Sequence, residues 1–262
     1  MMFRNIEVDK AVSSFVKSIL VFEGTDAAAK TNLPFFADGF PGLMCHETPL
    51  GLCVNPHKKR MPPLFVYGQT IEPIEIEIEG TYQMIVLQLF PFTVKSLFNI
   101  DPQSINDNCY DLSEEKIQVQ NHIFVELTQE KDLDTRISIL TRYIGRLIEA
   151  KRNSFDAAIH SAITKILSAK GKCSLTDTAN EVHLTKRTFE RRFVSETGLL
   201  PKQFAKIIQF QNSLTQLTVK DFTSLTDVVY RNGFADQSHF IRVFKSFTGK
   251  TPKQFIAKTR DR

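Results

Sequence analysis

The sequence predicts an α+β chain, with a β-rich N-terminal barrel or sandwich flanked by helices and an all-α C-terminal part. Three observations carry this expectation. Residues 74–79 read Ile-Glu-Ile-Glu-Ile-Glu, a period of two that puts isoleucines on one face of a strand and glutamates on the other. Two blocks in the last hundred or so residues repeat each other about 50 positions apart. Charge reverses near residue 150: up to there 13 Lys and Arg stand against 20 Asp and Glu, and beyond it 20 stand against 9.

Residues 1–110 form the first expected domain and read mainly as β. After the alternating run, Gly80 precedes a second apolar run at 82–90, and the pair predicts an antiparallel hairpin. Pro34, Gly39, Pro41, Gly42, Pro49, Gly51, Pro56, Pro62 and Pro63 punctuate the rest at the short intervals of a small barrel or sandwich. Phe35, Phe36, Phe40, Phe65 and Tyr67 are candidates to line a pocket, although aromatic residues in a β domain fill the core more often. Cys45, His46, Cys53 and His57 can all ligate metal, but they match no zinc-finger spacing, and Cys45 and His46 fall on opposite faces of a strand, so no metal is expected. Lys58-Lys59-Arg60 reads as a solvated loop. With 262 residues and 42% hydrophobic content the chain can build real cores, and its four scattered cysteines are expected to be reduced.

Residues 111–152 are expected to be a helical connection, with helices over 112–127 and 134–149. In the latter, Ile137, Leu140, Ile144 and Leu147 make one apolar stripe.

Residues 153–262 contain the repeat. Ser174-Leu175-Thr176-Asp177 matches Ser224-Leu225-Thr226-Asp227, a serine N-cap with an aspartate three residues on, which starts a short helix. Residues 184–204 then match 235–255 with one residue inserted between the two parts. Phe189 and Phe193, like Phe240 and Phe244, stand four apart and share a helix face that turns toward a core. The polar faces carry Lys186, Arg187, Thr188, Glu190, Arg191 and Arg192 in one copy and Gln237, Ser238, His239, Arg242 and Lys245 in the other. Gly198 and Gly249 suit left-handed C-caps, and Pro201 and Pro252 suit the first turn of the next helix. Short helix, turn and polar second helix is the helix-turn-helix pattern, whose second helix enters the major groove. Between the copies, Phe204, Ile207, Ile208, Leu214 and Leu217 predict one long joining helix that fixes the separation of the two units.

Residues 233–245, GFADQSHFIRVFK, closing with Gly249-Lys250-Thr251-Pro252, resemble the signature of the AraC/XylS regulators, and residues 185–193, TKRTFERRF, resemble that family's first recognition helix. The resemblance covers about 155–258, with Gln209 standing where the family often has arginine. A shorter resemblance, residues 36–43 with Tyr67-Gly68 and Phe90-Pro91, is to N-terminal domains of some AraC-type regulators. In the wider family such domains are often cupin-like barrels that bind an effector, dimerise, or both.

The resemblance implies that Arg187, Glu190, Arg191, Gln237, Ser238 and Arg242 face base edges. Their chemistry agrees, since arginine bonds guanine bidentately and glutamine bonds adenine. Lys186, Arg192 and Lys245, beside them, are expected on phosphates. The expected function is a sequence-specific, cytoplasmic transcription regulator of bacterial type. Its partner is double-stranded DNA, with a small-molecule effector, a second copy of the chain and RNA polymerase as further candidate partners, and no membrane. No catalytic motif and no cofactor are expected. The rival reading is an enzyme or effector-binding module whose C-terminal units serve protein contact.

Overall fold

A computed structural model describes residues 2–114, 122–151 and 155–260, with side chains described as far as residue 257. Among the described residues there are ten strands, nine in succession and the tenth after a short helix: β1 (Met2–Ile6), β2 (Val16–Gly24), β3 (Lys30–Phe35), β4 (Gly42–Glu47), β5 (Leu52–Asn55), β6 (Lys59–Met61), β7 (Leu64–Tyr67), β8 (Ile74–Glu79), β9 (Tyr82–Leu89) and β10 (Cys109–Asp111). They pair antiparallel into a six-stranded sheet of order β1-β2-β9-β4-β7-β10 and a four-stranded sheet of order β3-β8-β5-β6. The result is a two-sheet sandwich, not a closed barrel.

The larger sheet is covered on both faces, and β9 shows why its sequence lacks alternation. Met84 and Val86 point between the sheets, where they meet Leu33, Leu52, Phe65, Ile76 and Ile78. Ile85, Leu87 and Leu89 point the other way, into the core shared with the helices. The strands at 74–79 and 82–89 therefore do not form the expected hairpin. β8 pairs with β3 and β5, while β9 pairs with β2 and β4. A strand apolar on one side belongs in the outer sheet with its glutamates in water; one apolar on both sides belongs in the middle of a covered sheet. Gly80, at φ 80°, turns the chain from one sheet to the other.

The helical part departs from expectation at one place. Residues 112–114 are not helical: the Leu112 N–H bonds the Leu64 carbonyl at 2.9 Å, continuing the pairing of β10 beside β7. Residues 115–121 of the expected 112–127 helix lie outside the described residues. The helices are α1 (Thr93–Phe98), α2 (Ile123–Gln129), α3 (Leu133–Ala150), α4 (Ala157–Ser168), α5 (Leu175–Glu181), α6 (Lys186–Thr197), α7 (Pro201–Thr218), α8 (Leu225–Arg231), α9 (Gln237–Thr248) and α10 (Pro252–Arg260), with a 3-10 turn at Pro102–Ile105. Asp132 caps α3 by accepting the Thr135 N–H at 2.8 Å, and Ile137, Leu140 and Ile144 bury its stripe. Buried Arg136 ties that helix to the sheet, donating to Glu47 at 3.1 Å, to Gln83 at 2.6 Å and to the Cys45 thiol at 3.4 Å. His46, on the other face, bonds Thr48 and the Pro62 carbonyl at 2.9 Å each. Lys59 and Arg60, expected in a loop, belong to strand β6.

The sandwich seats on the C-terminal helices through the loop after β3. Gln211 of α7 donates to the Ala37 carbonyl. Gly39, at φ 82°, lies so close to Phe204 and Ile208 that a Cβ would come within 2.9 Å of the Ile208 methyl. In the same loop Asp38 accepts from the Phe40 N–H at 2.9 Å and from Gln88 at 2.7 Å, and Lys17 lies 3.6 Å over the Phe40 ring. Burial, partly offset by the Phe40 N–H and the Lys17 charge, pushes the Asp38 carboxyl up to about 6.

Candidate nucleic-acid interface

Both repeats begin with a short capped helix. Ser174 accepts the Asp177 N–H at 3.2 Å and Ser224 accepts the Asp227 N–H at 3.1 Å, starting the seven-residue helices α5 and α8. A left-handed residue follows each, His183 at φ 55° and Gly233 at φ 73°. Next, the Leu184 N–H bonds the Ala179 carbonyl and the Phe234 N–H bonds the Val229 carbonyl, the same five-residue closure. Thr185 caps α6 and Asp236 caps α9. The inserted residue of the second copy is thus Ala235.

The two outer helices are held alike. Phe189 and Phe193 are 5.6 Å apart between ring centres, with Phe204 of α7 at 5.7 Å from Phe193. Phe240 and Phe244 are also 5.6 Å apart, with Phe210 of the same α7 at 5.5 Å from Phe244. One joining helix therefore supplies the inner wall for both units. Each outer helix ends at a left-handed glycine, Gly198 at φ 77° and Gly249 at φ 70°, whose N–H bonds back at 2.8 Å.

With the phenylalanines fixed inward, the faces named from the sequence are turned out. Lys186, Arg187 and Arg191 are exposed on α6, and Glu190 is half-buried beside them. Gln237, Ser238, Arg242 and Lys245 are exposed on α9. Three of the expected residues are otherwise engaged. Arg192 makes a two-point pair with Asp156, Nε to Oδ2 at 2.8 Å and Nη2 to Oδ1 at 2.5 Å. Although burial works against it, the Asp156 carboxyl is held below its usual range by this pair and by the Ile159 N–H. Thr188 belongs to the cap, with its N–H and hydroxyl both toward Thr185. His239 gives its N–H to Asp236 at 2.7 Å and sets its ring edge against Phe234.

The reassignment of Arg192 was readable from the repeat. Its counterpart 51 residues on is Val243, which is buried. A position that is apolar in one copy leans inward in both, and an arginine there needs a nearby carboxylate. Asp156 was missed because it lies before the repeat begins.

A second feature lies inside the sandwich. A cavity of about 250 Å³ is walled by Phe35, Met44, Leu52, Phe65, Tyr67 and Ile76, with His57, Lys59, Asp107 and Asn108 at its polar end. Of the five aromatic residues expected around a pocket, Phe35, Phe65 and Tyr67 are there. Phe36 packs on Phe255 of α10, and Phe40 lies under Lys17.

Comparison with known proteins places these features in context. A family model described as a helix-turn-helix domain matches residues 178–258, and a domain model whose function is undescribed matches residues 4–111. An HTH-type transcriptional regulator of Staphylococcus aureus strain MSSA476 is 30% identical over 226 residues, which is 85% of this chain and 24% of that protein. The chain thus spans about a quarter of the length of such relatives. The HTH-type transcriptional activator RhaS of Yersinia pestis is 31% identical over 75 residues, 29% of this chain and 27% of that one. Among solved structures, ToxT from Vibrio cholerae aligns over 94% of this chain and 98% of its own at 12% identity, with a TM-score of 0.47. No helix among the described residues is long and apolar enough to cross a membrane.

Proposed function

We propose that the chain is a helix-turn-helix regulator of the AraC/XylS type that controls transcription by reading double-stranded DNA with α6 and α9 together. The observation that carries this reading is the shared support: equivalent phenylalanine pairs, seated on one helix, turn two polar and basic faces outward. Arg187, Glu190 and Arg191, with Gln237, Ser238 and Arg242, take base edges; Lys186 and Lys245 take phosphate. Arg192, paired with Asp156, positions α6 from behind. In this division residues 1–110 sense or dimerise, 111–152 connect, and 153–262 bind DNA.

Family and fold point to a regulator, not an enzyme. The sandwich cavity is the proposed effector site, because it joins an apolar wall to a few converging polar groups. An effector there acts by favouring one arrangement of the two parts. The outward face of α3, with Ser138, Arg142 and Glu149 exposed, is the proposed seat for a second copy, and RNA polymerase is the proposed downstream contact.

Selection of random duplexes, followed by electrophoretic shift, tests the central claim. A spaced motif whose enrichment vanishes when Arg191 and Arg242 are both alanine is the expected outcome. No enrichment of any duplex sinks it and favours protein contact by the C-terminal units.

A further inference from the structure

We propose that in the described arrangement the N-terminal domain withholds the first reader, α6, while the second, α9, is the one that engages DNA; this rests on the DNA-reading function proposed above. On α6, Arg187, Arg191 and Ser195 recur every four residues and so form one stripe. The N-terminal domain grips the far end of that stripe. Lys95 of α1 donates to the Ser195 hydroxyl and pairs with the Glu196 carboxylate at 3.0 Å, and Glu196 is buried. Asn106 donates to the Gly198 carbonyl at 2.9 Å. Gly198 is pressed so close that a Cβ would stand 2.9 Å from the Pro102 carbonyl oxygen.

These contacts place a wall beside the reader. Asn99, Asp101 and Gln103 face Arg187 and Arg191 across one cleft. Ser195 is one turn, about 6 Å along the axis, from Arg191. To reach base edges Arg191 must sink into a groove roughly 8.5 Å deep whose rims are phosphates. The end of α1 and the turn after it stand where one rim would pass, and Asp101 presents like charge to that rim. Among the described residues no such wall stands on the reading stripe of the second unit. There the N-terminal domain meets α10 through Phe36 and Phe255, and Gln237, Ser238, Arg242 and Lys245 stay exposed.

Because the two units share one chain, the covered reader competes with its own clasp and not with protein concentration. Footprinting of the full-length protein on an operator with both half-sites tests this, the half-site of α9 being identified by its loss in Arg242→Ala. At saturation the wild type is expected to protect that half-site fully and the other weakly. Lys95→Glu sets like charge against Glu196, and protection of the first half-site is expected to rise roughly tenfold. Asn106→Ala acts in the same direction, and Lys95→Glu combined with Glu196→Lys returns the short footprint. Full protection of the second half-site in each variant shows that it is folded. Equal protection of both half-sites by the wild type overturns the clasp alone; absence of binding by every variant overturns the DNA-reading function and the clasp with it.

Discussion

Arg191 and Arg242 occupy equivalent places 51 residues apart, each exposed and each two residues beyond the first phenylalanine of its pair. Replacing Arg242 with alanine is expected to cost about 1 to 3 kcal/mol of specific binding, and replacing Arg191 to cost as much once Lys95→Glu has released α6, each measured by titration against the selected operator at fixed salt. Arg192 is expected to behave differently. With its guanidinium neutralised by Asp156, Arg192→Ala leaves the salt dependence of binding unchanged even where Lys95→Glu has released α6, whereas Lys186→Ala in that same background lowers the slope by about 1. The outward residues were legible because the phenylalanine spacing fixes which face turns out; the inward lean of Arg192 was legible from its counterpart Val243, but its partner Asp156 was not, because it lies before the repeat begins. Asp38 gives a pH signature. Its folded-state value near 6 stands above the ordinary carboxylate, about 3.9, so the native state keeps a proton that the unfolded chain releases. Stability from this group is full below about pH 4 and is lost as pH rises through about 6. Denaturant titrations of wild type and Asp38→Asn across that window should differ in slope; parallel curves would remove Asp38 as the source.

Among the elements, the C-terminal helices followed from local chemistry alone. Serine caps, glycine stops and prolines at first turns are short-range signals, and no distant partner can displace them. Ser174→Ala and Ser224→Ala are each expected to cost about 1 kcal/mol in chemical denaturation. The strands were less legible, because periodicity tells which sides of a strand are buried but not which neighbour it pairs with. The run at 74–79 and the run at 82–89 have the sequence of a hairpin and the environments of two different sheets. Turn positions carry the same lesson, since His183 takes a left-handed conformation that only Gly233, in the second copy, advertises. The two C-cap glycines offer a comparison internal to the molecule. Gly249→Ala meets no neighbour and is expected to cost about 1 to 2 kcal/mol from backbone conformation. Gly198→Ala adds a clash with the Pro102 carbonyl and should lower the melting temperature further; equal losses would mean that the clasp contributes nothing to stability.

At the scale of the whole molecule, one buried apolar cluster runs from Val12 through the helix-facing side of the large sheet to Phe247. The charge reversal near residue 150 suggests two independent bodies, yet the core is continuous, and a continuous core is expected to unfold in a single step. Four of the five tyrosines lie before residue 150, while the last seven helices lie after it, so tyrosine fluorescence and far-ultraviolet dichroism report mainly on different halves. Coincident denaturation curves are the expected result. How the halves meet was out of reach of the sequence, because Lys95, Asn106 and Ala37 carry no pattern and their partners are about 90 to 170 residues away. The joining helix carries a last consequence. Its 18 residues are a rod about 27 Å long with no hinge glycine inside it, so both readers keep a fixed rotational phase about the duplex. Five extra base pairs between half-sites, about half a turn, should therefore silence bipartite regulation, and a full turn should not restore it, since the rod cannot stretch to follow.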